Sequence, residues 1–171
     1  DAAKQSKHQR DRQIAAERAL EWLVKASHAV GGRGVSVGYQ AGSGWLESYP
    51  EVSGYTLCTL RLLAESRLSG SHVKIRAKEM VISMTAWLKS LYLPGRGYAG
   101  WLGQGEEDGG LIFDTGQVLH GLLSIFQQQP DLCDISQIQG MTRWLRESMS
   151  PDGAWRRRTF WGGEAPPYYL R

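Results

Sequence analysis

Apolar residues recur at helical spacing in three long segments of the chain and predict amphipathic helices at residues 4–29, 73–91 and 135–149. Charged and polar residues occupy the intervening positions, as expected for helices with one face in contact with solvent. Each helix carries a Trp-Leu pair in its second half, and these pairs are Trp22-Leu23, Trp87-Leu88 and Trp144-Leu145. A pattern that returns at a roughly fixed interval indicates a repeat architecture.

A second type of helix follows the first two amphipathic helices, and apolar residues cover nearly its whole circumference. Residues 56–68 and 112–126 have this composition, which predicts burial on several sides. Glycine-rich, aromatic turns at residues 31–44 and 94–110 separate the two helix types, and a turn at 150–153 follows the third amphipathic helix. The sequence therefore predicts an all-α fold of repeated helical hairpins.

The predicted hairpin units span about residues 4–68, 72–128 and 133–171 and form one domain. Pro166-Pro167 before Tyr168 is typical of a helix N-terminus, where the missing N–H of proline does no harm. Because the sequence ends where a third buried helix is predicted to start, we expect further residues after Arg171 in the complete protein.

Composition places the chain among folded domains. Its 171 residues are 42% hydrophobic and 22% charged, which is sufficient for one hydrophobic core. Charged residues or glycines interrupt every apolar run before the roughly 18 residues that a membrane span requires, so no span is predicted. The composition leaves the compartment undetermined, although it favours a soluble, cytoplasmic protein.

The formal charge of +3 does not predict a nucleic-acid partner, because the basic residues are dispersed among acidic ones. Arg156-Arg157-Arg158 is the only tight basic cluster, and an anionic sugar would suit it equally well. Cys58 and Cys133 are too few and too far apart for a disulfide framework or a zinc site, and both are predicted to be buried thiols. No phosphate loop or dinucleotide-binding turn is present, so we expect neither a metal nor another cofactor.

Two acidic residues stand near the predicted entrances of the buried helices. Glu51 and Asp114 each precede a glycine, Gly54 and Gly116 respectively, by two or three residues, and alignment of these glycines gives the two acids equivalent places. They are the candidate pair for general acid and base catalysis. The alternative is helix capping, since acids are stabilised by the free N–H groups of a first turn without any catalytic role.

Aromatic residues concentrate in the turns and helix entrances, which suits sugar rings that stack on aromatic faces. Those that recur in each unit, Trp45, Trp101 and Trp155, are predicted to plug their own hairpins. His120 is either a base near neutral pH or, more commonly for a single histidine on an apolar helix, a core residue. The candidate substrate contacts are Tyr55, Gln117, Trp161, His120 and Tyr168.

The turns that follow the Trp-Leu helices, such as 152–155, resemble those of the α/α-toroid superfamily, which includes squalene cyclases and protein prenyltransferases. Residues 45–55 and 113–119 are similar to two signature segments of toroid proteins encoded among bacterial exopolysaccharide genes, and 168–171 resemble the start of a further one. The likeness covers nearly the whole chain from Trp22 onward, but only about half of a complete ring.

The resemblance implies alternating outer and inner helices around a central cavity, and a polysaccharide as ligand or substrate in cell-surface biosynthesis, with other biosynthetic proteins as possible partners. The alternatives are a terpenoid cyclase relative and a non-catalytic scaffold. The Asp-rich acid segment of squalene-type cyclases is absent, and the glutamine of their repeat motif is missing before Gly153. The zinc ligand cluster of the prenyltransferases is absent as well, which argues against that activity.

Overall fold

The computed structural model describes residues 2–67, 69–98 and 110–155, and 66% of this part is α-helical. The predicted all-α class is confirmed. The elements in chain order are α1 (Ala2–Ala29), β1 (Tyr39–Gln40), β2 (Gly44–Trp45), α2 (Pro50–Glu65), α3 (Ser71–Leu91), α4 (Ile112–Phe126), a 3-10 turn (Pro130–Leu132) and α5 (Ile135–Glu147). The two short strands pair antiparallel inside the first glycine-rich turn.

Helix α2 begins at Pro50, ahead of the start that the sequence predicts at residue 56. Proline occupies the first helical position, where its fixed φ suits a helix, and Tyr49 before it is extended. The segment that the pattern indicated as an approach to the helix is therefore its first turn and a half, and Gly54 lies inside the helix. The other predicted helices agree with the structure to within two residues at each described end.

Helices α2 and α4 are neighbours and run in the same direction. A Cβ placed on Gly54 of α2 would lie 2.7 Å from the Cα of Val118, and one placed on Gly121 would overlap the carbonyl of Gly54. Further along α2, Cys58 faces His120 of α4. In the first turns, Glu51 of α2 lies close enough to Asp114 of α4 for their charges to interact, so contacts advance from Glu51 and Asp114 to Cys58 and His120 along both helices, as they do in a parallel pair.

The first two hairpins share one turn structure. Gly34 and Gly97 both have positive φ, near 70°, which only glycine adopts readily. The amide of the next residue then donates to a hydroxyl in the first turn of the following helix: Val35 to Ser53 Oγ at 3.1 Å, and Tyr98 to Thr115 Oγ1 at 2.9 Å. These bonds match residue 53 of the first unit with residue 115 of the second.

A tryptophan of the next amphipathic helix covers each of these turns. Trp87 of α3 packs so closely on Gly34 that a side chain at that position would overlap its ring, and the ring of Trp144 of α5 would lie 3.1 Å from a Cβ placed on Gly97. The repeated Trp-Leu motif thus has a structural role, because its tryptophan joins one hairpin to the next.

Aromatic side chains also close the turns from inside. Tyr98 donates its hydroxyl to the carbonyl of Leu88 at 2.7 Å, and Trp155 donates Nε1 to the carbonyl of Leu145 at 2.8 Å. The prediction that Trp155 plugs its own hairpin is confirmed, and its counterpart in the second unit is Tyr98. Trp101 lies outside the described residues.

Apolar side chains from the parallel pair and from α1, α3 and α5 form the core. Full burial of each such side chain stabilises the fold by about 1.5–3 kcal/mol. The large, fully buried side chains include Leu57, Leu60, Met84, Leu88, Tyr98, Leu122, Ile125 and Met141.

In the described part, no helix has both the length and the apolar character that crossing a membrane requires.

Candidate functional site

One side of the parallel helix pair is not covered by any other described element, although the apolar composition of both helices predicted burial on several sides. Tyr55 is 41% exposed and Leu62 58% exposed on α2, and Phe113 of α4 is 46% exposed. Spacings of three or four residues place the chemistry-bearing side chains of each helix along this side. We call these residues the α2/α4 face: Glu51, Tyr55, Cys58, Phe113, Gln117 and His120.

Glu51 lies in the first turn of α2 and is half-buried. Burial raises the pKa of its carboxyl group above the ordinary value, and the negative charge of Asp114 raises it further. The two acids that the sequence singled out are therefore close enough to interact electrostatically, although they belong to different helices.

Asp114 lies in the first turn of α4 and is only 5% exposed. Burial raises the pKa of its carboxyl group, while a hydrogen bond from Tyr49 and the amide of Asp114 itself oppose this rise. Its Oδ1 is buried without a hydrogen-bond partner among the described residues. An acid in such a position is costly to ionise, because burial removes the water that would stabilise its charge.

Glu51 and Asp114 do not occupy equivalent positions, contrary to the prediction. The hydrogen bonds of the turns match Ser53 with Thr115, so the counterpart of Asp114 is Val52 and that of Glu51 is Phe113. Asp114 is almost completely buried, whereas Glu51 is half-buried on the α2/α4 face. Both acids lie in the first turn of their helices, and the carboxylate of Asp114 accepts a hydrogen bond from its own amide, as the capping alternative predicts.

Three further candidate residues accompany the acids on this face. Burial raises the pKa of the Tyr55 hydroxyl, and the charge of Glu51 adds to the rise. Gln117 is half-buried where its main chain meets Gly54, and His120 is exposed, so His120 is not a core residue. Trp161 and Tyr168, the other two candidates, and the basic cluster 156–158 lie outside the described residues.

Both cysteines are half-buried, whereas the sequence predicted that both thiols are buried. Cys58 lies at the edge of α2 that faces α4, with Sγ 3.9 Å from Nδ1 of His120. Cys133 instead donates its thiol to the carbonyl of Leu122 at 3.5 Å, and burial raises the pKa of that thiol. No group of three or more His, Cys, Asp or Glu side chains suited to a metal ion occurs in the described part.

The sequence interpretation missed an aromatic cleft at the turn end of the first hairpin. Its volume is about 820 Å³, and the walls come from the ends of α1 and α3 and from the segment before α2. The Trp45 ring also packs edge-on against Trp22, which is 50% exposed, and against Tyr39. The main lining side chains are Arg33, Trp45, Glu47 and Trp87, and we call them the aromatic cleft.

No protein-family model, curated protein or solved structure matches this chain. The relation to α/α-toroid proteins therefore stays a prediction from the sequence motifs.

Proposed function

We propose that this chain is part of an α/α-toroid protein that binds and processes a polysaccharide in bacterial cell-surface biosynthesis, with Glu51 as the acid that contacts the sugar. The observation that carries this proposal is the buried carboxyl of Asp114 next to the more accessible carboxyl of Glu51. Pairs of carboxyl groups that lie in different environments commonly catalyse the cleavage or modification of glycosidic linkages.

The arrangement of the helices supports the toroid part of the proposal. In such a ring, inner helices are parallel neighbours and outer helices return the chain between them. The parallel pair α2 and α4, with α3 between them in sequence and in contact with both α1 and α2, has this order. Gly34 and Gly97 have the same backbone conformation in corresponding turns, which indicates that successive units pack against each other in the same way.

The two acids have different parts in the proposed chemistry. Asp114 is too buried to contact a sugar directly, so it acts through Glu51. Burial raises the pKa of Glu51, and the charge of Asp114, once it is ionised, raises it further, so Glu51 keeps a proton at a pH where an isolated glutamate would have lost it. Glu51 then donates this proton to a leaving oxygen of the glycan, as a general acid does.

The side chains around Glu51 suit a sugar. Tyr55 and Gln117 offer hydroxyl and amide groups for hydrogen bonds to sugar hydroxyls, and the exposed ring of Phe113 offers an apolar face for the C–H side of a pyranose. The aromatic cleft supplies two tryptophans with one cation and one carboxylate, a combination that suits another part of a long, acidic glycan.

Calorimetric titration of the chain with acidic and neutral bacterial polysaccharides, and with a polyprenyl lipid, tests the proposal. We expect saturable glycan binding that weakens at least about tenfold in the double variant Glu51→Gln, Asp114→Asn, since hydrogen bonds to charged groups contribute about 1.5–3 kcal/mol. Glu65→Gln is the matched control, because this exposed carboxylate of α2 pairs with Arg61 away from the site. Glycan binding that is equally strong in the double variant would contradict the assigned site.

A terpenoid cyclase relative is the second candidate, and the surroundings of the acid pair are the observation that favours it. The rings of Tyr55 and Phe113 lie beside carboxyl groups whose pKa values are raised, and such acids can protonate an alkene while aromatic faces stabilise the cation. Binding of the polyprenyl lipid alone would support this candidate. Binding of neither ligand class would favour a scaffold.

A further inference from the structure

Cys58 and His120 face each other across the parallel helix pair. Cys58 Sγ lies 3.9 Å from His120 Nδ1, within the reach of a long hydrogen bond to sulfur. The register of the turns makes these two positions equivalent in the two units, and the close approach of α2 and α4 at Gly54 and Gly121 fixes their separation. The pair is therefore a product of the repeat packing and not of a mobile loop.

The two thiols of the chain differ in what their partners can do. The carbonyl of Leu122, which accepts from Cys133, cannot take a proton away. A neutral imidazole with its proton on Nε2 can remove a proton through Nδ1. Cys58 is also accessible from the α2/α4 face, since it is half-buried and its histidine partner is exposed.

We propose that Cys58 and His120 form a nucleophilic pair that accepts an acyl group from an activated ester or thioester. The Cys58 proton passes to Nδ1 of His120, and Sγ bonds to the acyl carbon. The bond between that carbon and the leaving oxygen or sulfur then breaks, and His120 returns the proton to the leaving group. The product is a thioester on Cys58 and a free alcohol or thiol, with no change in oxidation state.

This chemistry is independent of the proposed action on polysaccharides, because it requires neither Glu51 nor Asp114. The acyl group would nevertheless form on the same face as Tyr55 and Glu51. A hydroxyl compound bound there would be placed to receive it.

The test is acetylation of the chain by 4-nitrophenyl acetate and by a small acetyl thioester, followed by intact-mass spectrometry and peptide mapping. We expect one acetyl group on Cys58, none in Cys58→Ser, and a rate at least about 100-fold lower in His120→Asn, since a positioned base contributes roughly 100- to 10,000-fold. Asparagine keeps a hydrogen-bonding group near Nδ1 but is not a base. His120 is exposed, and thermal unfolding monitored by circular dichroism checks that each variant is folded.

Cys133→Ser is the control variant and should acetylate at the rate of the unaltered chain. Equal acetylation of the two cysteines, an undiminished rate in His120→Asn, or no acetylation by either donor would each overturn the proposal. None of these results bears on glycan binding, so the failure of one proposal is distinguishable from the failure of the other.

Discussion

Gly54 of α2 and Gly121 of α4 bring the main chains of the two helices into direct contact, because a Cβ on Gly121 would overlap the Gly54 carbonyl. This contact holds the two first turns beside each other and so brings Glu51 close to Asp114. It also sets the separation between Cys58 and His120. Everything that the α2/α4 face offers chemically depends on this one close approach.

Substitution of alanine at Gly121 should therefore destabilise the protein. A methyl group has no space against the Gly54 carbonyl, and overpacking of this kind typically costs about 1–3 kcal/mol. Gly116 of the same helix is the matched control, because a Cβ there meets no atom within 4 Å. Gly116→Ala should stabilise by roughly 0.5–1 kcal/mol through helix propensity. Urea unfolding measures both, and a stability loss of similar size in the two variants would contradict the packing.

The hydrogen bond from the Tyr98 amide to Thr115 predicts a second stability effect. Thr115→Val keeps the shape of the side chain but leaves this buried amide without its partner, which should cost about 1–3 kcal/mol. Thr142→Val is the control, because Thr142 lies on the exposed surface of α5 and its effect should stay within about 0.5 kcal/mol. Equal free energies of unfolding for the two variants would remove the basis for matching residue 115 with residue 53.

Periodicity was sufficient to predict the helices, and for α4 it gave both ends, because an apolar run bounded by polar residues fixes where a buried helix lies. It was not sufficient for the start of α2, where Pro50, Ser53 and Gly54 have the composition of a turn but lie in a helix that tertiary packing stabilises.

The site shows the same limit of sequence reasoning. The alignment of Gly54 with Gly116 gave the same register as the hydrogen bonds of the turns, but it treated Glu51 and Asp114 as equivalent although they precede these glycines by three and two residues. This offset of one residue makes Val52 the counterpart of Asp114, and only the packing of the two helices shows that Asp114 is the buried acid of the pair. The aromatic cleft was missed because its lining comes from three separate parts of the chain, around Arg33, Trp45 and Trp87.

Asp114 should make the stability of the protein fall as pH rises. Its folded-state pKa lies above the ordinary value of 3.8, so the folded state holds more protons than the unfolded state between these two values. Stability is therefore lost from about pH 3.8 upward and levels off above the raised pKa. The Asp114→Asn variant does not lose this stability, so its free energy of unfolding should exceed that of the unaltered chain by an amount that grows with pH across that window. Urea midpoints from about pH 3 to about pH 8 measure the difference.

Asp134 is the control for this experiment, because its pKa is shifted in the opposite direction to that of Asp114. Hydrogen bonds from the Ser136 side chain and amide lower its pKa, so this exposed N-cap of α5 contributes stability that is present above the ordinary pKa and is lost as pH falls. The Asp134→Asn variant should therefore be less stable than the unaltered chain, and this difference in the free energy of unfolding should shrink toward low pH. A difference between Asp114→Asn and the unaltered chain that does not change with pH would mean that Asp114 has no raised pKa.

Arg33 should decide which glycans the aromatic cleft prefers. Its exposed guanidinium lines the cleft close to Trp45 and Trp87, and Glu47 is the only acid among the lining residues. If a uronate or pyruvylated sugar places its carboxylate there, Arg33→Gln should weaken binding of acidic polysaccharides by about fivefold, the effect of a partly exposed ion pair of about 1 kcal/mol. Binding of neutral polysaccharides should not change. Arg143→Gln, an exposed cation of α5 away from the cleft, should leave both affinities unaltered. Equal losses for acidic and neutral glycans in Arg33→Gln would show that the cation supports the shape of the cleft and does not read the charge of the sugar.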